Sequence, residues 1–396
     1  HCCVLGVARP AGHNRFEVLA REKEVVRLGS GSGEMKELRD DAIDRGVAAL
    51  ARFRRIVDAH GAEVHAVATS AVREARNRSV FLRRAREEAG IDVDVISGVE
   101  EARLIHLGVL QAVPVFDQRL LVIDIGGGST EFVVALQDDL VEARSLKLGA
   151  IRLTDRFFAD EPVKRRHVEE ARAWTRAALA PVERMVRRHG GFDVAVGSSG
   201  TILNVAEMVH AATKRTLRKT GGATFTAAEL HDLVDELTGR GTAQERLDVP
   251  GLDPKRADII LGGVIVLEQA VEALGIGEMV VSEFALREGL LLDVLRRRQS
   301  TSLGHLRDLR YESVLHLAAL TPDDGEREHG ERVADLALQL FEATKERHGL
   351  DASFEELLEA AGLPCNVGLV VGDHPHHPHS YHVIRNSDLQ AGITDH

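Results

Sequence analysis

Apolar positions recur on two different periods along this chain, and the switches between them mark out its elements. Phe16-Glu17-Val18-Leu19-Ala20 alternates like a strand, Glu24 to Leu28 reads as a second, and Gly29 to Gly33 reads as a flexible loop. From Asp40 to Ala59 the apolar spacing becomes helical, at Ile43, Val47, Leu50 and Phe53. Strands are expected over Val64 to Thr69 and Val93 to Ile96, with helices over Ser79 to Ala89 and Glu100 to Val113. Leu120 to Ile125 is a buried strand broken only by Asp124, and Glu131 to Leu136 is the next. The strand Asp193 to Val196 runs into a Gly-rich loop, Gly197 to Gly200. A long apolar helix (Ala257 to Leu274), a strand (Glu278 to Val281) and a helix (Ala285 to Leu295) complete this region. Strands and helices that alternate in this way predict an α/β class.

Arg296 to Ser300 is a polar break, and beyond it the pattern is helical: Tyr311 to Leu320, His329 to Arg347 and Phe354 to Ala361, then a His-rich loop. These breaks divide the chain into 1–117, 118–298 and 299–396. The 396 residues suit roughly 2–3 domains. No apolar run approaches the ~18–20 residues of a membrane helix. The three cysteines cannot make a disulfide framework, so a cytoplasmic protein without membrane partners is expected. The net charge of −12 argues against nucleic acid as a partner, and a polyanionic substrate would need a locally basic path. Arg73, Arg76, Arg78, Arg83, Arg84 and Arg86 could line one; a solvated helix face paired with Glu87 and Glu88 is the alternative.

The charge inside the apolar strand is the sharpest chemical signal. Asp124 ends the strand, Gly126, Gly127 and Gly128 make the turn, and Ser129, Thr130 and Glu131 begin the return. Glycines let backbone N–H groups close on phosphate oxygens, and the two flanking carboxylates can hold a Mg²⁺ between them. No Lys follows the glycines, which excludes a Walker A loop, and a strand rather than a helix follows, which excludes a dinucleotide fingerprint. Ser97 and Glu100 have the spacing of a capping box, whereas Glu101 begins an otherwise apolar helix face with Leu104, Ile105 and Gly108. A desolvated carboxylate there suits a general base; a second acid facing the helix dipole is the other use of that position. Ser198, Ser199, Gly200 and Thr201 form a strand-to-helix turn of the kind that receives phosphate, and Arg73 follows a strand end where an arginine fork can do the same, a structural ion pair being an equally ordinary use.

Taken in order, five segments resemble the exopolyphosphatase / guanosine pentaphosphate phosphohydrolase family. They are Ala68 to Arg73, Ser97 to Leu104, Asp124 to Glu131, Gly197 to Thr201, and Ser282-Glu283-Phe284-Ala285-Leu286-Arg287-Glu288-Gly289. The resemblance runs from about Phe16 to the end of the chain. It implies two actin-like, ribonuclease-H-type α/β domains with an interdomain cleft, followed by a C-terminal helical HD-like domain. It places the catalytic Glu at Glu101, metal-site acids at Asp124 and Glu131, and a phosphate-binding arginine at Arg73. The implied substrate is inorganic polyphosphate, with Mg²⁺ as cofactor. Guanosine pentaphosphate, or a non-catalytic role as a polyphosphate- or nucleotide-binding regulator, are the alternatives, and a homodimer is a possible assembly. A sugar kinase is disfavoured, because Glu101 with Asp124 and Glu131 points to water as the nucleophile.

The chain departs from the family pattern twice. The family's first phosphate loop precedes a strand matching Phe16 to Ala20, and here that position reads His1-Cys2-Cys3-Val4-Leu5-Gly6, so one wall of the phosphate site is expected to be absent. The HD pair is replaced by Cys365-Asn366, so no metal is expected among His374, His376, His377, His379 and His382. The helices expected after His396 are expected to be missing too.

Overall fold

A computed structural model describes residues 2–10, 16–29, 37–112, 118–136, 139–213, 215, 221–299, 326–350, 354, 358, 361–370 and 376–386. Contacts gather the chain into two compact units, His1–Arg296 and Arg297–His396.

The first unit opens with an antiparallel pair, β1 (Cys2–Pro10) and β2 (Phe16–Val25). The two strands expected between Phe16 and Leu28 are thus one, and it ends where Arg27 adopts a left-handed φ of 53° that a ladder cannot contain. Beyond Gly29, the expected loop lies outside the described residues. Next come α1 (Asp40–Ala59), β3 (Ala66–Ala68), α2 (Ser70–Glu74), α3 (Arg78–Ala89), β4 (Val93–Val95) and α4 (Gly98–Ala112). β3 and β4 pair in parallel, as a strand–helix–strand crossover requires. Ile43, Val47, Val72 and Phe81 form the small core beneath them.

The centre of the unit is a six-stranded sheet ordered β7-β6-β5-β8-β10-β9. It comprises β5 (Arg119–Ile125), β6 (Thr130–Leu136), β7 (Asp139–Leu146), β8 (Val194–Ser198), β9 (Thr224–Thr226) and β10 (Glu278–Val281). β7 was not expected, because Glu142 and Arg144 interrupt its apolar pattern; at the sheet edge these side chains form ion pairs with each other and with Arg188 and His189. Side chains on successive strand positions face opposite layers. Leu121, Ile123 and Ile125 enter the large core shared with α6 (Arg165–Arg188), α7 (Ser199–Ala212), α8 (Ala227–Thr238) and α10 (Ile260–Leu274). Leu120 and Val122 face the other way, toward Ala102, Ile105 and Val109 of α4.

Further boundaries differ from expectation. The Gly197 to Gly200 loop does not exist as such: β8 continues through Ser198 and α7 begins at Ser199, with φ 96° at Ser199 absorbing the reversal. The helix expected from Ala257 begins at Ile260, after a 3₁₀ turn over Pro254–Arg256. The polar stretch Arg296 to Gln299 is not a break in secondary structure, because α11 (Leu286–Gln299) runs through it.

α11 crosses α4 at backbone contact. A Cβ on Gly289 would lie 1.7 Å from the Leu104 carbonyl oxygen, and one on Gly108 would lie 2.2 Å from that of Ala285. Glycine is required here by the closeness of two main chains.

The second unit contains helices over Glu326–Ala343, Lys345–His348 and His376–Asn386 and a 3₁₀ turn at Val367–Val370. The helix expected over His329 to Arg347 is interrupted at Thr344, and the expected His-rich loop is helical from His376 onward. The expected helix over Tyr311 to Leu320, His374 and most of Phe354 to Ala361 lie outside the described residues. No helix among the described residues is long and apolar enough to cross a membrane.

Gly289→Ala is expected to cost about 1–3 kcal/mol by forcing α4 and α11 apart; a thermal melt followed by circular dichroism, with Gly277→Ala (no atom within 4 Å of its added Cβ) as the neutral comparison, checks this.

Candidate active site

Register brings four polar side chains into one row. Asp124 pairs with Glu131 across β5 and β6, Glu131 with Ser145 across β6 and β7, and Asp124 with Ser198 across β5 and β8. Paired residues share a face, and this row shares the parity of Val122, Val133, Ala143 and Val196, so it looks toward α4. Ser198 Oγ donates to Asp124 Oδ2 (2.5 Å), and Ser145 Oγ donates to Glu131 Oε1 (2.8 Å). The four strands therefore end in two acids, each held by a serine from the outer neighbour.

Glu101 faces this row from α4. The helix start sits against the sheet because Gly98 has no side chain; a Cβ there would lie 2.4 Å from that of Ser145. Leu104 and Ile105 are buried, as the apolar face predicts, and Glu101 itself is 7 % exposed. Arg73 of α2 donates from Nη1 to Glu101 Oε2 (3.1 Å) and to the Ile96 carbonyl (2.8 Å). Ser97 caps α4 through its bond from the Glu100 amide (3.1 Å), but the Glu100 carboxylate does not close the capping box. It pairs instead with Arg103, which also binds the fully buried Asp293 of α11.

Two buried carboxylates, Glu101 and Glu131, lie beside the half-buried Asp124, and the proton affinities of all three are raised. Burial pushes Glu101 up to about 7, against the opposing pull of Arg73 and with a further push from Asp124. Burial raises Asp124 to about 6, moderated by the Ser198 hydroxyl. Glu131 is held well above the usual carboxylate range by burial first, then by Glu101 and Asp124. A region with this surplus of desolvated negative charge fits a bound cation. The donors are hard oxygens, as Mg²⁺ prefers, and Mg²⁺ is commonly held by one or two carboxylates with water and substrate oxygens completing its shell. Among the described residues no group of three or more His, Cys, Asp or Glu is arranged to cage a metal. The pair Asp124 and Glu131 fits the looser arrangement.

The glycine turn is oriented from behind by α5 (Ala150–Phe157). The Ala150 amide donates to the Gly126 carbonyl (3.0 Å), and the Ile151 and Arg152 amides donate to that of Gly127 (2.9 and 3.1 Å). Arg152 Nε donates to the Gly128 carbonyl (2.8 Å). In a trans peptide the N–H points opposite to the preceding C=O. The amides of Gly127, Gly128 and Ser129 are therefore turned away from α5, and none has a backbone acceptor among the described residues. Three such N–H groups in succession form an anion-binding nest.

The second turn is divided in its roles. Ser198 is fully buried and its hydroxyl is committed to Asp124, while Thr201 packs against Gly263 of α10. Ser199 and Gly200 begin α7, whose first amides are free of helical partners by position. The Arg256 guanidinium lies directly over Gly200, where a Cβ would sit 1.7 Å from its Nη2. Arg256 was not anticipated from the sequence; the preceding Pro254-Lys255 turn gives no chemical signal. The arginine cluster after Arg73 is largely a solvated face: Arg84 pairs with Glu88 and Asp44, and Arg86 with Asp92.

A sheet whose strand ends carry paired acids, an amide nest at the glycine turn and a facing buried carboxylate define an α/β class with a candidate anion site. The sequence profile of the Ppx/GppA phosphatase family matches residues 7–298, and that of Ppx/GppA phosphatase domain III matches residues 310–395. The chain belongs to the Ppx/GppA phosphatase family. An exopolyphosphatase from Cytophaga hutchinsonii is 30 % identical, with 74 % of this chain and 95 % of that one covered and a TM-score of 0.69. The Aquifex aeolicus family member is 25 % identical over 76 % and 96 %, with a TM-score of 0.63. An exopolyphosphatase-like protein is 28 % identical over 75 % and 95 %, with a TM-score of 0.67. The fold is accordingly the α/β, actin-like one expected from the sequence, followed by a C-terminal domain III.

The raised Glu101 has a consequence for stability. Its folded pKa of about 7 lies above the 4.5 of an ordinary glutamate, so its contribution is fully present below pH 4.5 and is lost as pH rises to about 7. In metal-free buffer, Glu101→Gln is expected to gain up to ~3 kcal/mol relative to the parent chain across that window; parallel urea titrations at pH 5 and pH 8 measure the difference.

Proposed function

We propose that the protein is an exopolyphosphatase-type hydrolase that releases terminal orthophosphate from a phosphoanhydride chain, inorganic polyphosphate being the preferred substrate. The observation that carries this reading is the pairing of a buried carboxylate, Glu101, with an outward-turned amide nest at Gly127, Gly128 and Ser129. The similarity to the Cytophaga hutchinsonii exopolyphosphatase supports polyphosphate as the choice of substrate.

Each residue has a definite task in this reading. Glu101 accepts a proton from water as its oxygen attacks the terminal phosphorus, and a pKa near 7 suits that exchange at neutral pH. Arg73 orients the carboxylate through Oε2 and holds its proton affinity below what burial alone would produce. The nest receives the oxygens of the transferring phosphoryl group, and fixed dipoles there stabilise charge without reorganising. Ser199, Gly200 and Thr201 at the start of α7, with Arg256 above them, receive phosphates further along the chain. Asp124 and Glu131 are the residues that would hold Mg²⁺, with Ser198 and Ser145 fixing their carboxylates. Once bound, that ion neutralises charge on the phosphate oxygens.

The deciding measurement is orthophosphate release from long-chain polyphosphate in the presence of Mg²⁺, beside guanosine pentaphosphate at equal concentration. Turnover of polyphosphate is expected to dominate; release from guanosine pentaphosphate alone would transfer the assignment to nucleotide hydrolysis, and silence on both would leave a binding role. Glu101→Gln is expected to lower kcat by about 10²-fold or more, as loss of a general base does. Asp124→Asn is expected to remove the dependence of rate on Mg²⁺ concentration. Full activity of either variant contradicts the role given to that residue.

A further inference from the structure

Two consecutive residues of the five-residue helix α2 reach in different directions. Arg73 binds Glu101, as described above. Glu74 receives Arg152 Nη2 at Oε1 (2.8 Å), and Ser70 Oγ donates to the same oxygen (3.1 Å). The Lys147 ammonium lies 3.8 Å from the other oxygen. Arg152 is 8 % exposed, and its Nε is the donor that turns the Gly128 carbonyl away from the site. The chain of contacts runs Ser70, Glu74, Arg152, Gly128, and it spans 78 residues of sequence at its longest step.

We infer that Glu74 and Arg152 are positioning residues for the hydrolysis: their ion pair ties the glycine turn to α2, so that the Ser129 amide of the nest and the Glu101 carboxylate keep one fixed separation. This inference rests on the hydrolase reading above. The physical argument has two parts. The Gly128–Ser129 peptide is planar, so a donor holding the Gly128 oxygen sets the direction of the Ser129 N–H. The two backbone bonds from Ile151 and Arg152 hold the Gly127 carbonyl only, so the next peptide relies on the Arg152 side chain. A guanidinium carrying both bonds at once, Nε to the loop and Nη2 to Glu74, transmits the position of α2 to the loop as a rigid plane. The same helix holds Glu101 through Arg73, so base and nest share one support. Groups that act on a reacting centre need placement within about 0.5 Å, and neither a helix of five residues nor a glycine turn supplies that alone.

The test compares the parent chain, Glu74→Gln, Arg152→Lys and the double variant, each as the full chain. Steady-state orthophosphate release from long-chain polyphosphate with Mg²⁺ gives kcat and KM, and hydrogen–deuterium exchange reads residues 126–153. Each single variant is expected to lose about 10–100-fold in kcat with KM held within about threefold, a fraction of the 10²–10³ that removal of one preorganised donor costs. The double variant is expected to fall no further than the weaker single, since both act through one contact. Exchange in the first turn of α5 is expected to rise in both singles. Additive losses, an effect confined to KM, or singles within twofold of the parent overturn the inference. If Arg152→Lys does not fold, Glu74→Gln with Glu74→Asp as the charge-retaining rescue carries the same test: rescue of kcat by Asp supports the inference, and none overturns it. A parent chain inactive on every phosphoanhydride removes the hydrolase reading, while the exchange comparison still decides whether Glu74 holds the loop through Arg152.

Discussion

Two carboxylates kept out of water, Glu101 and Glu131, beside the half-buried Asp124 are the constraint on which the rest of the structure depends. Desolvating a carboxylate is costly, and here Asp124 raises Glu101 further while Glu101 and Asp124 together raise Glu131. The fold tolerates the arrangement because strong local supports surround it: a serine on each of Asp124 and Glu131, and an arginine on Glu101. The sheet behind them is apolar and buried on both faces. The same cost that makes bare negative charge unfavourable here favours any neutralising partner, a cation or a proton.

The sheet and its helices place this site by close backbone approach. Gly98 lets the start of α4 touch Ser145, Gly149 lets α5 press on the glycine turn, and Gly263 lets α10 meet the start of α7. Adding a Cβ at any of these would put it 2.4 to 2.5 Å from a neighbouring atom. The helix starts therefore converge on the carboxyl ends of β5 and β8, where an α/β sheet ordinarily receives ligands. Links over long chain separations close the arrangement. Arg27 binds both carboxylate oxygens of Asp258, 231 residues away, in the turn that carries Arg256, and Arg103 reaches Asp293 across 190.

Comparison of pattern with structure separates two kinds of information. Asp124, Glu131 and Glu101 were legible because each interrupts an apolar period, and an interruption of that kind is costly unless it serves a purpose. The α1 helix and β10 were legible for the opposite reason: their periodicity is unbroken, and their observed limits coincide with the expected ones. β7 was missed because an edge strand carries charged residues on its open side, which resembles a loop in one dimension. The expected split between Ala20 and Glu24 falls where the chain continues as one strand, since the short charged run Arg21 to Lys23 looks like a turn until a partner strand is present.

The sequence by itself determined which residues are unable to lie in an ordinary core, and with that the α/β class, the glycine turn and the acids of the candidate site. Only the tertiary structure decided which partners those residues take. Ser198 looked like a phosphate donor and instead holds Asp124; Glu100 looked like a cap and instead pairs with Arg103; Glu74, Arg152 and Arg256 carried no local signal at all. The reason is physical: burial is a property of a residue's own period along the chain, whereas the choice of hydrogen-bond partner depends on which strands and helices are brought side by side.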